Sequence, residues 1–253
     1  MIQAALRYTL VFCIWSLLLP AATDFHAVNG SCPDDAPALT PAPLEEEWAV
    51  DWWMPRHLQK LNEKGRESAE ILFLGDSITH GWETAGLNAA ENHFSDYKIY
   101  NLGFSGDRTE NVLWRLKQGE ADRIGPKLAV LLIGTNNTGH RKDEPECTAG
   151  GVKGIVDELS HRLPSTEILL LAIFPRGELP DDELRMLNEK ANQQIKGLGS
   201  RENVTFADLN EIYLKDDGRL NLDLMPDGLH PNEQGYEVWA SSMLPIIKEL
   251  MGR

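Results

Sequence analysis

The chain has 253 residues, an ordinary 42% of hydrophobic types and a formal net charge of −15. That length suits one large domain or two small ones and supports a substantial core. The acidic balance excludes nucleic acid and anionic membrane surfaces as main partners, because both need a positive face.

Arg7 precedes an apolar run from Tyr8 to Leu19, and Pro20-Ala21-Ala22 follow. One positive charge, a short apolar core and small residues read as a secretory signal over 1–23. The run is short for a membrane-spanning helix. No clean A-x-A cleavage site follows it, so an uncleaved anchor is the alternative. Cys13 lies inside the run without the small neighbours of a lipid-attachment site. An exported protein, periplasmic or extracellular, meets oxidising conditions. There Cys32 and Cys147, in two segments that read as loops, either pair or stay separate thiols.

Residues 24–47 hold Pro33, Pro37, Pro41 and Pro43 with few large apolar side chains, a composition that predicts a poorly ordered linker. The domain then runs from 48 to 253. Trp48, Trp52 and Trp53 crowd together ahead of a helix-like stretch reaching about Lys64. They either pack that helix on the domain or offer a platform for a sugar ring.

From Glu70 onward, strand-like runs at 70–74, 98–102, 128–133, 167–173 and 203–207 alternate with helix-like stretches. The helices are expected over part of 78–92 and over 109–120, 149–162, 181–197 and 232–250, with Asp181 as a cap. Such alternation predicts an α/β fold, a mostly parallel sheet covered on both faces. The uniformly apolar runs 128–133 and 168–173 belong at its centre.

In sheets of this kind ligands gather at the carboxyl ends of the strands. The first strand runs into Gly75-Asp76-Ser77, which presents a serine hydroxyl there. The second ends in Asn101-Leu102-Gly103-Phe104-Ser105-Gly106-Asp107, either a tight turn or a place where Gly106 aims its N–H at an oxygen. The third ends in Gly134-Thr135-Asn136-Asn137, where Asn136 is an oxyanion donor or part of an Asx-type turn. Before the last helix, Asp227 and His230 stand three apart, so the carboxylate can hold the imidazole. His80 competes as base but lacks an evident orienting carboxylate. Trp82, Arg108, and His140 and Arg141 in the loop expected after Asn137, either contact substrate or are ordinary packing and solvated surface. No Cys/His cluster has zinc spacing, and Gly75–Gly81 lacks a phosphate-loop ending, so neither metal nor cofactor is expected.

These four blocks resemble those of the SGNH hydrolases, also called GDSL esterases/lipases. Asn101–Asp107, Val112–Lys117, Gly134–Asn137 and Phe174–Gly177 are similar to the catalytic-subunit group of platelet-activating-factor acetylhydrolase. The resemblance spans about 50–250. It implies a flavodoxin-like three-layer α/β/α sandwich with five parallel strands. It also implies a serine esterase in which Ser77 attacks, His230 takes the proton and Asp227 orients it. Ser77, Gly106 and Asn136 would form the oxyanion hole. The substrate would be a small-molecule or glycan ester, most simply an acetyl ester of carbohydrate. A lipase, a platelet-activating-factor acetylhydrolase-like enzyme and a non-catalytic sugar-binding protein are the competing readings.

Overall fold

The computed structural model describes residues 32–252; the expected signal, Cys13 and residues 24–31 of the linker lie outside the described residues. The main elements in chain order are α1 (Trp53–Leu61), β1 (Ile71–Gly75), α2 (Ser77–His80), α3 (Leu87–Phe94), β2 (Ile99–Gly103) and α4 (Thr109–Lys117). They continue through β3 (Leu128–Leu132), α5 (Thr135–Arg141), α6 (Pro145–Arg162), β4 (Glu167–Leu171), α7 (Glu183–Ile195), β5 (Val204–Ala207) and α8 (Glu233–Leu250). The five strands pair in parallel in the order β2-β1-β3-β4-β5. The expected three-layer sandwich is therefore what the chain adopts.

Side chains alternate across each strand, and the two faces bury separate cores. Leu72, Leu74, Ala129, Leu131, Ile168 and Leu170 pack under α1, α4, α6 and α7. Ile71, Phe73, Leu128, Val130 and Leu132 pack against α3 and α8. Because both faces are covered, β3 has no polar position, as its unbroken apolar run required. The order reverses direction between β1 and β3, the kind of switch point where such sheets hold ligands.

Four local expectations are corrected. Residues 135–141 form the helix α5 rather than a loop, so His140 and Arg141 stand in its last turn. Asp182, not Asp181, caps α7, accepting from the N–H groups of Leu184 and Arg185. Cys147 lies in the first turn of α6 and is disulfide-bonded to Cys32. The described part of the linker, 32–47, is packed on the domain. Its Ala38 and Leu44 are buried. Thr109 Oγ1 donates to the Ala38 carbonyl at 2.9 Å, and Asn111 Nδ2 to that of Ala42 at 3.0 Å. Within the strap the N–H groups of Ala36, Leu39 and Thr40 donate to the carbonyls of Pro33, Ala36 and Pro37, and α4 side chains satisfy those of Ala38 and Ala42.

Candidate active site

Ser77 sits where β1 turns into α2. A Cβ on Gly75 would lie 2.2 Å from the Leu132 carbonyl and from Thr79 Oγ1, so only glycine lets this turn close against β3. Asp76 caps α2: its Oδ1 accepts from the Ile78 N–H at 2.9 Å. Asp76 is buried, and burial pushes its carboxyl up to about 7 against the pull of the Ile78 hydrogen bond. The cap turns this carboxylate toward the helix backbone and leaves the neighbouring hydroxyl free to face the sheet edge.

From the opposite side, the loop before α8 brings in a histidine. Ser77 Oγ lies 2.8 Å from His230 Nε2. His230 Nδ1 lies 2.7 Å from Asp227 Oδ2. Asp227 Oδ1 accepts from the backbone N–H groups of Leu229 and His230 at 2.9 and 2.7 Å. Partial burial works against the charge on Asp227. The His230 and Leu229 hydrogen bonds outweigh it and hold the carboxyl below its ordinary value. An ionised Asp227 accepts from Nδ1–H, which leaves Nε2 as the acceptor for the Ser77 hydroxyl. Tyr236 Oη donates to the Ile78 carbonyl at 2.6 Å and ties α8 to α2.

The loops after β2 and β3 complete the edge. Gly106 adopts φ of 79°, and a Cβ there would lie 2.1 Å from the Trp48 ring. Asn136 is buried on the first turn of α5 and donates from Nδ2 to the Asp107 carbonyl at 3.0 Å. Asp107 is held beneath: Trp53 Nε1 donates to Oδ1 at 2.6 Å and Arg115 Nε to Oδ2 at 2.9 Å. Burial raises the Asp107 carboxyl to about 6, with Arg115 opposing. Arg115, fully buried, also pairs with Glu120 and lies over the Phe104 ring at 3.8 Å. This paired charge cluster makes the 104–107 turn a rigid support. Asn137 is a brace rather than a site group, accepting from the Thr109 N–H at 3.0 Å.

Ser77, His80, Ser105, His230, Pro231 and Tyr236 line a cavity of about 310 Å³. A cavity of about 400 Å³ lies beside α7 and β5, lined by residues such as Glu189 and Asn210, and contains no nucleophile beside a base. Chemistry, not size, therefore selects the smaller one. Among the described residues no group of three or more His, Cys, Asp or Glu is placed to hold a metal ion.

Several other candidates move. Trp82 is 4% exposed and packs among Phe73, Phe94, Tyr236 and Trp239, so it is core and not a substrate contact. His80 does not pair with Ser77; its Nδ1 meets Ser105 Oγ at 3.1 Å. Burial, aided by Arg56, lowers the His80 imidazole to about 4, so it is neutral at pH 7. Arg108 is buried and already paired with Glu46 at 2.6 Å and Glu110 at 2.8 Å. With His140 it lines a separate cavity beside Trp48. Arg176, in the Phe174–Gly177 stretch, is structural: it donates to the Thr135 carbonyl at 2.9 Å and braces the β3 end. Of the three early tryptophans, Trp53 is core, while Trp48 and Trp52 stand near the site. Ser105, inside the Asn101–Asp107 block, and Tyr236, outside every block, line the cavity without having been singled out; an aromatic residue near the start of the last helix is the sequence hint for Tyr236.

The parallel sheet thus brings a serine, a histidine and a carboxylate into one hydrogen-bonded row. Residues 73–238 match the model of the GDSL-like Lipase/Acylhydrolase family, and the chain belongs to that family. It is 33% identical over 219 residues to platelet-activating factor acetylhydrolase IB subunit alpha2 of Rattus norvegicus, covering 86% of this chain and 93% of that protein. A solved Streptococcus structure described as a platelet activating factor superposes with TM-score 0.68 at 25% identity, covering 79% of this chain and 94% of that one. A carbohydrate acetylesterase from Sinorhizobium meliloti shares the fold, with TM-score 0.57 and 18% identity over 71% of this chain and 98% of that one.

Proposed function

We propose that this protein is an exported serine esterase that removes short acyl groups, chiefly acetyl, from carbohydrate. The row Ser77–His230–Asp227, with contacts of 2.8 and 2.7 Å, carries the proposal. His230 Nε2 takes the Ser77 proton as Oγ attacks the ester carbonyl. The N–H groups of Ser77 and Gly106 and the Asn136 amide receive the oxyanion. The alcohol leaves with the proton from His230, giving an acyl-enzyme. Water, deprotonated by the same nitrogen, then releases the acid and restores the serine.

The acetyl preference is supported by the acetylhydrolase relatives. Export is supported by the Cys32–Cys147 disulfide, which suits an oxidising compartment. The half-exposed Trp48 beside the site supports a sugar as the alcohol part; a shared fold alone does not choose it. Turnover of p-nitrophenyl acetate is the direct test. The expected result is hydrolysis that falls at least about 10⁴-fold in Ser77→Ala. Absent turnover, or turnover unchanged in that variant, overturns the proposal. The identity to platelet-activating factor acetylhydrolase favours a second reading, an acetylated phospholipid. Comparing acetylated xylo-oligosaccharides with an acetylated ether phospholipid separates the two.

A further inference from the structure

Four rings form a continuous series beside the serine. His80, which lines the Ser77 cavity, faces Trp52 at 6.3 Å between centroids with planes inclined 28°. Trp52 meets Trp48 at 6.4 Å and 31°. Trp48 meets His140 at 6.3 Å and 79°, so His140 stands upright at the far end. Trp48 is 51% exposed, an unusual share for the largest apolar side chain. Its ring sits against Gly106, where any Cβ would displace it. The placement is therefore built into the turn that the catalytic proposal already uses.

Beyond Trp48 the series opens into the separate cavity of about 340 Å³, whose polar walls are Glu46, Arg108, His140 and Arg141. Its charges are already answered. Arg108 pairs with Glu46 and Glu110, and Arg141 with Glu110 and Asp143. Such a cavity offers planar donors and acceptors but no uncompensated cation for a phosphate. Glu46 Oε2 has no hydrogen-bond partner among the described residues. Flat rings followed by paired hydrogen-bonding forks suit a neutral pyranose, which has C–H faces and vicinal hydroxyls.

We propose that His80, Trp52, Trp48 and His140 form a glycan track, leading from the ester at Ser77 to a second sugar subsite walled by Glu46 and Arg108. The inference rests on the carbohydrate esterase reading and adds that the preferred substrate is an oligosaccharide. The strap 32–47, held by the disulfide, delivers Glu46 to this subsite.

Kinetics on singly acetylated xylose, xylobiose and xylotetraose, with p-nitrophenyl acetate as reference, test it. The expected wild-type result is a kcat/KM that rises with chain length. In Trp48→Ala that rise flattens, and the ratio of tetrasaccharide to p-nitrophenyl acetate activity falls about three- to tenfold, whichever way the reference rate moves. Trp48→Phe, which keeps a ring, retains most of the ratio, and circular dichroism checks that both variants fold. Deacetylation of monosaccharides with no dependence on length in the wild type overturns the track but leaves the esterase reading intact. Hydrolysis of p-nitrophenyl acetate with no acetylated sugar turned over overturns the carbohydrate reading and the track with it.

Discussion

Two carboxylates lie close to Ser77, one along the chain and one through space. Asp76 is its neighbour in sequence and is fully enclosed; burial raises its carboxyl to about 7, and it serves the backbone of α2. Asp227 arrives from 150 positions later with more than half of its side chain exposed, is held below its ordinary value, and serves His230. Adjacency in sequence thus points to the wrong acid. Enclosure makes charge costly at Asp76, whereas water and three hydrogen-bond donors keep Asp227 ionised, as an imidazole that gains a proton requires.

Replacing each acid by its amide sharpens the contrast. Asp227→Asn should lower kcat/KM on p-nitrophenyl acetate by about 10³–10⁴-fold, because the amide no longer enforces the Nδ1–H tautomer of His230. A loss under tenfold would mean that His230 is oriented by other contacts. Asn136→Ala should cost about 10²–10³-fold in kcat, the effect of one lost oxyanion donor; a change under threefold removes it from that role.

Asp76→Asn should act on stability instead. The folded-state value of about 7 lies above the unfolded value of 3.8, so the folded form holds the proton more tightly. Stability contributed by that proton is present at low pH and is lost as pH rises from about 4 to 7. The asparagine variant can keep the Ile78 cap without this loss. Its urea-derived stability should match the wild type near pH 4 and exceed it by about 2–4 kcal/mol near pH 8. Equal pH slopes in the two proteins would show that Asp76 is not the titrating group.

Much of this was legible beforehand, for identifiable reasons. Uniformly apolar runs such as Leu128–Leu132 declare buried parallel strands, since no solvent-facing alternation interrupts them. Ser77, Gly106, Asn136 and the Asp227/His230 pair each follow a strand or open a helix, so their common edge follows from topology. Trp82 stays open in the sequence because aromatic type does not reveal which side of a short helical turn faces the core. α5 was missed because Gly-Thr-Asn-Asn reads as turn chemistry, while tertiary contacts to Asn137 and Arg176 outweigh that propensity. The order of 32–47 was missed because composition speaks of a strap's own burial and not of side chains elsewhere that bind its carbonyls.

By itself the sequence determined the strand-helix alternation, the parallel sheet and the residue types at its carboxyl edge, because these depend on local periodicity and turn chemistry. Only the tertiary structure decided that Cys32 meets Cys147, that Trp82 is core, and that Trp48 and Trp52 line up beside the site. Those are distances between segments far apart in the chain, and they are set by how the elements pack together rather than by any one segment's own preferences.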